Sequence, residues 1–306
     1  MDAQASLEAW RAAGAYFNYR GYEIFYRTGG DWDDADKPVL VLIHGFPTAS
    51  WDWVRLWDQL CADYRVAALD MIGFGYSDKP ADHAYSIMDQ ADLHDAFFAQ
   101  LGIKRCHLFV HDYGDTVGQE LLARYLEQGE GAAVELLSIC FLNGGLFPEQ
   151  HRATLTQRLL HSPLGPVLSR LMSRARFAKG LGEVFGPDTQ PSEAEMDAFW
   201  ALAMEKGGMP RIGRKLLGYI DDRRQHRDRW VGALVNSTVP MRVIDGALDP
   251  VSGAHMVARY RELVPNPDTL LLPHVGHYPH WEDPKAVLDG FVNFQSATLK
   301  ARQQSP

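Results

Sequence analysis

Residues 108–120 read LFVHDYGDTVGQE. The apolar run Leu108-Phe109-Val110 stops at His111-Asp112-Tyr113-Gly114, and Val117, Leu121, Leu122 and Tyr125 follow at helical spacing. A buried strand that turns sharply into a helix presents one side chain at the turn, and serine is the usual occupant. Here it is Asp112. A serine oxygen attacks acyl carbons, whereas a carboxylate attacking an acyl carbon gives only a mixed anhydride. A carboxylate attacking an alkyl carbon, in an epoxide or an alkyl halide, gives an ester that water can cleave. Asp112 therefore points to opening of a C–O or C–halogen bond. Asp is also a good helix cap, and the helix start favours its ionised form.

Outward from this turn the pattern alternates. Residues 16–20 and 22–27 suggest two strands joined at Arg20-Gly21. Residues 39–43 (VLVLI) form a continuous apolar run, as expected of a strand buried on both faces. Further strands are expected at 66–69, 107–110, 136–142, 239–244 and 269–272. Helices are expected at 51–61, 87–101, 113–127, 254–263 and 284–299. Such alternation predicts an α/β fold with a mostly parallel, eight-stranded, doubly wound sheet. The rhythm breaks at 147–230, which reads as helix punctuated by Pro and Gly. This stretch holds 14 Lys+Arg against 10 Asp+Glu, a net charge of +4, which leaves −13 on the remainder of a chain of net −9. The expected organisation is a core domain of residues 1–146 and 231–306 with a helical cap, 147–230, inserted after the sixth strand. The tail from Ala301 is expected to fray.

The 306 residues are 46% hydrophobic, enough for one large domain. The acidic balance argues against nucleic acid as a partner. No stretch has membrane-spanning length, and the start MDAQASLEAW lacks the pattern of a secretory signal, so membrane insertion is not expected. Cys61, Cys106 and Cys140 have no metal spacing and read as reduced packing residues. A cytoplasmic location and a monomer or homodimer follow as expectations.

Four further motifs line up in order. His44-Gly45-Phe46-Pro47 follows the third strand and Gly73-Phe74-Gly75-Tyr76-Ser77-Asp78 the fourth. Asp245-Gly246-Ala247-Leu248-Asp249-Pro250 and Gly276-His277-Tyr278 come late in the chain. Together with the turn at Asp112 they resemble the α/β-hydrolase fold, in its epoxide hydrolase and haloalkane dehalogenase branch. HDYGDTVGQELLARY, LNGGLFPEQHR, VFGPDTQPSE and RWVGAL resemble, within that branch, mesoderm-specific transcript-like hydrolases. The resemblance covers residues 15–295.

It implies a hydrolase that needs no cofactor and no metal and that acts on a small apolar epoxide or alkyl halide. Asp112 would be the nucleophile. His277 would be the base, since an imidazole titrates near neutrality, and Asp249 would orient it. Asn143, where some relatives hold the acid, cannot serve. The amides of Phe46 and Tyr113 would form the oxyanion hole. His44, Trp51, His151 and Trp200 are expected in the substrate pocket. Tyr219 is the only tyrosine of the 147–230 segment and matches the cap tyrosine with which epoxide hydrolases protonate the epoxide oxygen. A second cap tyrosine is missing, and His151 or water is the expected substitute. Dehalogenases usually place Trp directly after the nucleophile to bind halide, where this chain has Tyr113. That reading would need a nitrogen donor from Asn143 or Trp200. A non-catalytic binding protein of the same fold is a third possibility, disfavoured by the intact Asp112, His277 and Asp249.

Overall fold

The computed structural model describes residues 2–304. One eight-stranded sheet has the order β1-β2-β4-β3-β5-β6-β7-β8. Its strands are β1 (Ala15–Tyr19), β2 (Tyr22–Gly29), β3 (Val39–Ile43), β4 (Arg65–Leu69), β5 (Arg105–His111), β6 (Glu135–Leu142), β7 (Met241–Gly246) and β8 (Asp268–Leu272). β2 runs antiparallel to both neighbours, and every pairing from β4 to β8 is parallel. All five residues of β3 are buried, as the unbroken apolar run requires of a central strand. The β1–β2 turn uses Arg20 and Gly21, both at positive φ.

The core helices are α1 (Ala3–Ala12), α2 (Val54–Asp63), α3 (Ile87–Gln100) and α4 (Tyr113–Gln128). Seven helices then separate β6 from β7: α5 (Leu155–His161), α6 (Gly165–Arg170), α7 (Arg174–Gly182), α8 (Glu193–Met204), α9 (Gly208–Leu216), α10 (Tyr219–Gln225) and α11 (Arg227–Asn236). The chain closes with α12 (Ala254–Leu263), α13 (Pro279–Glu282) and α14 (Pro284–Gln304).

The strands fall where the apolar runs put them, within a few residues. α1 carries no expectation from the sequence. Asp2 caps it by accepting from the Gln4 and Ala5 amides, and it buries Leu7 and Trp10. α14 continues through Ala301 to Gln304, so 301–304 are helical; the last two residues of the expected frayed tail lie outside the described residues. The expected boundary at 230 falls inside α11. That helix packs on α4, where Arg229 and the Trp230 indole both donate to Glu120. All three cysteines are free. Among the described residues no helix is long and apolar enough to cross a membrane.

Candidate active site

β5 ends at His111 and α4 begins at Tyr113, which leaves Asp112 alone at the turn, with φ 48° and ψ −103°. A non-glycine residue at positive φ is strained and persists where its surroundings hold it. Close packing supplies the hold. A Cβ on Gly114 would lie 2.6 Å from the Ile43 carbonyl oxygen, and one on Gly45 would lie 2.9 Å from Asp112 Cβ. Only glycine at both positions lets β3 and the turn approach this closely.

The Asp112 carboxylate is buried and its two oxygens face different groups. Oδ2 accepts from the Phe46 amide at 3.1 Å. Oδ1 lies 3.7 Å from His277 Nε2. The other imidazole nitrogen, Nδ1, is 2.7 Å from Asp249 Oδ2. Asp249 also accepts from the Val251 and Ser252 amides, the Ser252 hydroxyl and the Asn143 side chain. Burial disfavours its charge, but His277 and these donors outweigh burial and hold Asp249 below the usual carboxylate value. For His277, too, burial disfavours the charge. The carboxylates of Asp249 and Asp112 prevail and raise the imidazole to about 9.

The loop that carries His277 is itself pinned. Glu282 accepts from the Gly276 amide at 2.8 Å and the Tyr278 amide at 2.9 Å, one on each side of the histidine, and from the Gly186 amide at 2.8 Å. The His111 imidazole bonds the His277 carbonyl at 2.8 Å.

Strand order, turn and residue spacing together decide the family. The chain belongs to the α/β-hydrolase family. A model of the alpha/beta hydrolase family matches residues 40–289. Mesoderm-specific transcript homolog protein of Homo sapiens is 43% identical over 296 residues, spanning 94% of this chain and 88% of that one. Epoxide hydrolase 3 of Xenopus tropicalis is 26% identical over 286 residues, 87% of this chain and 73% of that one. A haloalkane dehalogenase loop variant from Bradyrhizobium elkanii superposes with a TM-score of 0.79 at 23% identity, covering 95% of this chain and 98% of that one; this likeness concerns the fold.

In this hydrolase a cavity lies between the loops after β3, β7 and β8 and the helices α5 and α7; the turn at Asp112, the elbow, stands beside it through the Phe46 and His277 contacts. Phe46, Gln157, Leu160, Phe177, Val251 and His277 are among the residues that line it. Tyr219, first residue of α10, is buried against the rings of Phe46 and Tyr113. Burial and the Asp112 charge push its phenol upward, so it stays protonated. Its hydroxyl accepts from Gln157 Nε2 at 3.3 Å. The capping box of α5 fixes that amide, because Gln157 Oε1 accepts from the Thr154 amide.

The four expected pocket residues sit elsewhere. His44 is fully buried, held by the Gly45 carbonyl and the Met71 amide, and buttresses the loop after β3. Trp51 packs against Phe199 and Trp281. Trp200 lies half-buried against Phe177, behind the cavity wall. His151 is close enough to Arg223, Asp249 and His277 to feel their charges, and burial lowers it to about 3, but it does not line the cavity. The Phe46 amide donates to Asp112 Oδ2. Tyr113 contributes its ring to the packing around Tyr219.

Arg223, unexpected from the sequence, is a buried cation beside Asp112. It lies one helical turn after Tyr219 on α10 and is buried. Its guanidinium stacks on the Tyr219 ring, 4.5 Å from the centroid. It donates to Thr116 Oγ1 at 2.7 Å and to the Asp112 carbonyl at 3.0 Å, and lies 3.8 Å from Asp112 Oδ1. The sequence signal was the i, i+4 pair Tyr219 and Arg223 on one helix face. Asp115 is fully buried and pushed well up by burial and by the charges of Asp245 and Asp112, so it favours a neutral carboxyl.

Asp52, His111 and His280 have ligand atoms within 4.8 Å of one another. Burial pushes the Asp52 carboxyl up and both imidazoles down. The three favour their uncharged forms, and a cation there would require Asp52 to ionise.

Proposed function

We propose that this protein is an epoxide hydrolase that works through an alkyl ester on Asp112. The observation that carries the reading is a carboxylate, not a hydroxyl, at the elbow, with one oxygen on the Phe46 amide and the other facing the His277 imidazole. Asp112 Oδ1 attacks the less hindered epoxide carbon, and the C–O bond breaks. The released oxygen takes the proton of Tyr219. Because that hydroxyl accepts from Gln157, its own proton is left for the substrate. Gln157, in the cavity wall, takes the place of the missing second tyrosine.

Alkylation turns Asp112 into a neutral ester. His277 then loses one of the charges that raise it, releases its proton more readily, and can take one from water. The hydroxide adds to the ester carbonyl, and the Phe46 amide stabilises the tetrahedral anion. Collapse frees the diol, whose oxygen takes the proton back from His277, and the remaining water proton restores Tyr219 through solvent. Asp249 holds the imidazole throughout.

The epoxide hydrolase relative and the dehalogenase-like fold both suit an Asp nucleophile. A halide needs nitrogen donors beside the nucleophile. Asn143 spends its amide on Asp249 Oδ2 and the Gly246 carbonyl, and Trp200 lies behind the wall, which leaves the dehalogenase reading second. Styrene oxide-like epoxides and short haloalkanes, assayed for diol and halide release on wild type and Tyr219→Phe, separate the two. Loss of the general acid should slow epoxide opening on the order of 10²-fold or more, and halide release should fall little. Epoxide turnover nearly unchanged in the variant would make Tyr219 a packing residue and sink the assignment.

A further inference from the structure

Residues 151–182 hold six cations (Arg152, Arg158, Arg170, Arg174, Arg176 and Lys179) and no Asp or Glu, in a chain of net charge −9. The same segment carries most of the exposed large hydrophobics among the described residues: Leu155, Leu159, Leu164, Val167 and Leu171, each 47–66% exposed. Their spacing is helical. Leu155 and Leu159 are four apart on α5; Leu164, Val167 and Leu171 follow at three and four across α6. The inward residues Leu160 and Ser169 are buried, and α5 and α6 pack on each other and on α9. The outward stripe is therefore an unpartnered apolar face with Arg158 and Arg170 exposed beside it. Among the described residues neither arginine side chain has an acidic partner, whereas Arg174 is held by Glu193 and Asp197.

We propose that the outer face of α5 and α6 docks this protein on an anionic lipid bilayer. An apolar stripe flanked by cations, in a segment that itself holds no carboxylate and meets Asp221 only at His161, is the composition of a helix that lies in the interface plane, its leucines among the acyl chains and its arginines at the headgroups. Anionic headgroups attract such a segment within a Debye length of the surface. The charge asymmetry orients the molecule, because the acidic core domain is repelled while this face is drawn in. Docking here is peripheral and requires no spanning helix. The inner side of α5, through Thr156, Gln157 and Leu160, lines the cavity, so the docked face is the outside of the cavity wall.

The test is flotation of the full-length chain, without substrate, on phosphatidylcholine vesicles and on vesicles that also contain phosphatidylglycerol. The wild type should float with the anionic vesicles, much less with the neutral ones, and be released as salt is raised. Leu164→Asp with Val167→Asp should stay in the bottom fraction. Arg158→Gln with Arg170→Gln should float less and lose the salt dependence. Neither pair touches the cavity or the catalytic groups, so both should keep wild-type melting and wild-type turnover of a water-soluble substrate. Should the aspartate pair not fold, the arginine pair and the wild-type salt dependence carry the test. Wild type that floats with neither vesicle overturns the proposal. So does a dimer, seen by light scattering, that Leu164→Asp with Val167→Asp splits, since the face would then join two copies. Flotation needs no turnover, so failure of the epoxide assignment leaves this result readable.

Discussion

At the residue scale the site depends on where charge sits. Asp112, His277, Asp249 and Arg223 are all buried, and the charges of Asp249 and Asp112 act on His277. The imidazole is raised to about 9 chiefly by Asp249 and then by Asp112, against burial. Removing the Asp112 charge should therefore lower it. In Asp112→Asn the His277 titration, followed by NMR of the ring protons, should move to lower pH than in wild type; an unmoved titration would mean that the 3.7 Å approach carries no electrostatic weight. The same raised value has a consequence for stability. A group with a folded-state value above its unfolded value stabilises fully below the unfolded value, near 6.5, and loses that contribution as pH rises through the folded value. Melting temperature should thus fall between pH 6.5 and 9 in wild type, and His277→Gln should flatten that fall. Asp112, Asp249 and His277 were legible in the sequence because each closes a short motif at a strand end. Arg223 was not. It reaches the elbow from a helix more than a hundred residues away, and a lone arginine in a helix ordinarily reads as a solvated one.

At the scale of elements, strands were easier to read than the helices between them. β3, β5 and β6 are buried on both faces and leave unbroken apolar runs. The helices between β6 and β7 are short, and their burial pattern follows from tertiary neighbours rather than from local periodicity. For the same reason the aromatic and histidine side chains expected in the pocket were misplaced. His44 and Trp51 lie in or beside the motif after β3 but face core packing, and Trp200 packs on Phe177, whereas Gln157, which meets both cavity and Tyr219, was not singled out by the sequence. Glu282 belongs to this scale as well. One carboxylate on α13 accepts the amides on both sides of His277 and one from Gly186, so it ties the loop that carries His277 to the segment between β6 and β7. Glu282→Gln keeps the shape but removes the charge and one acceptor. Charge-assisted bonds of this kind contribute about 1–3 kcal/mol, and Glu282 is only partly buried, so a loss of about 1–2 kcal/mol in urea unfolding is expected. Turnover should drop with it, and the His277 titration should move to lower pH, because the Glu282 charge is among those that raise the imidazole. Unchanged stability and turnover would show that the loop is held by other contacts.

At the scale of the whole molecule, the parallel sheet brings the ends of β3, β5, β6 and β7 and the loop after β8 to one edge, which is where ligands bind in open α/β sheets. Phe46, Asp112, Asn143, Asp249 and His277 each come from a different one of these five ends, and the helices between β6 and β7 close over them with Tyr219 and Arg223. The proposed reaction turns on Asp112 forming a covalent ester that His277 then clears. The direct measurement is intact mass after addition of an epoxide substrate. His277→Gln should accumulate an adduct of substrate mass, mapped by proteolysis to the peptide that holds Asp112, and Asp112→Ala should show none. An adduct on both variants, or on neither while the wild type turns over, would contradict the assignment of Asp112 as nucleophile.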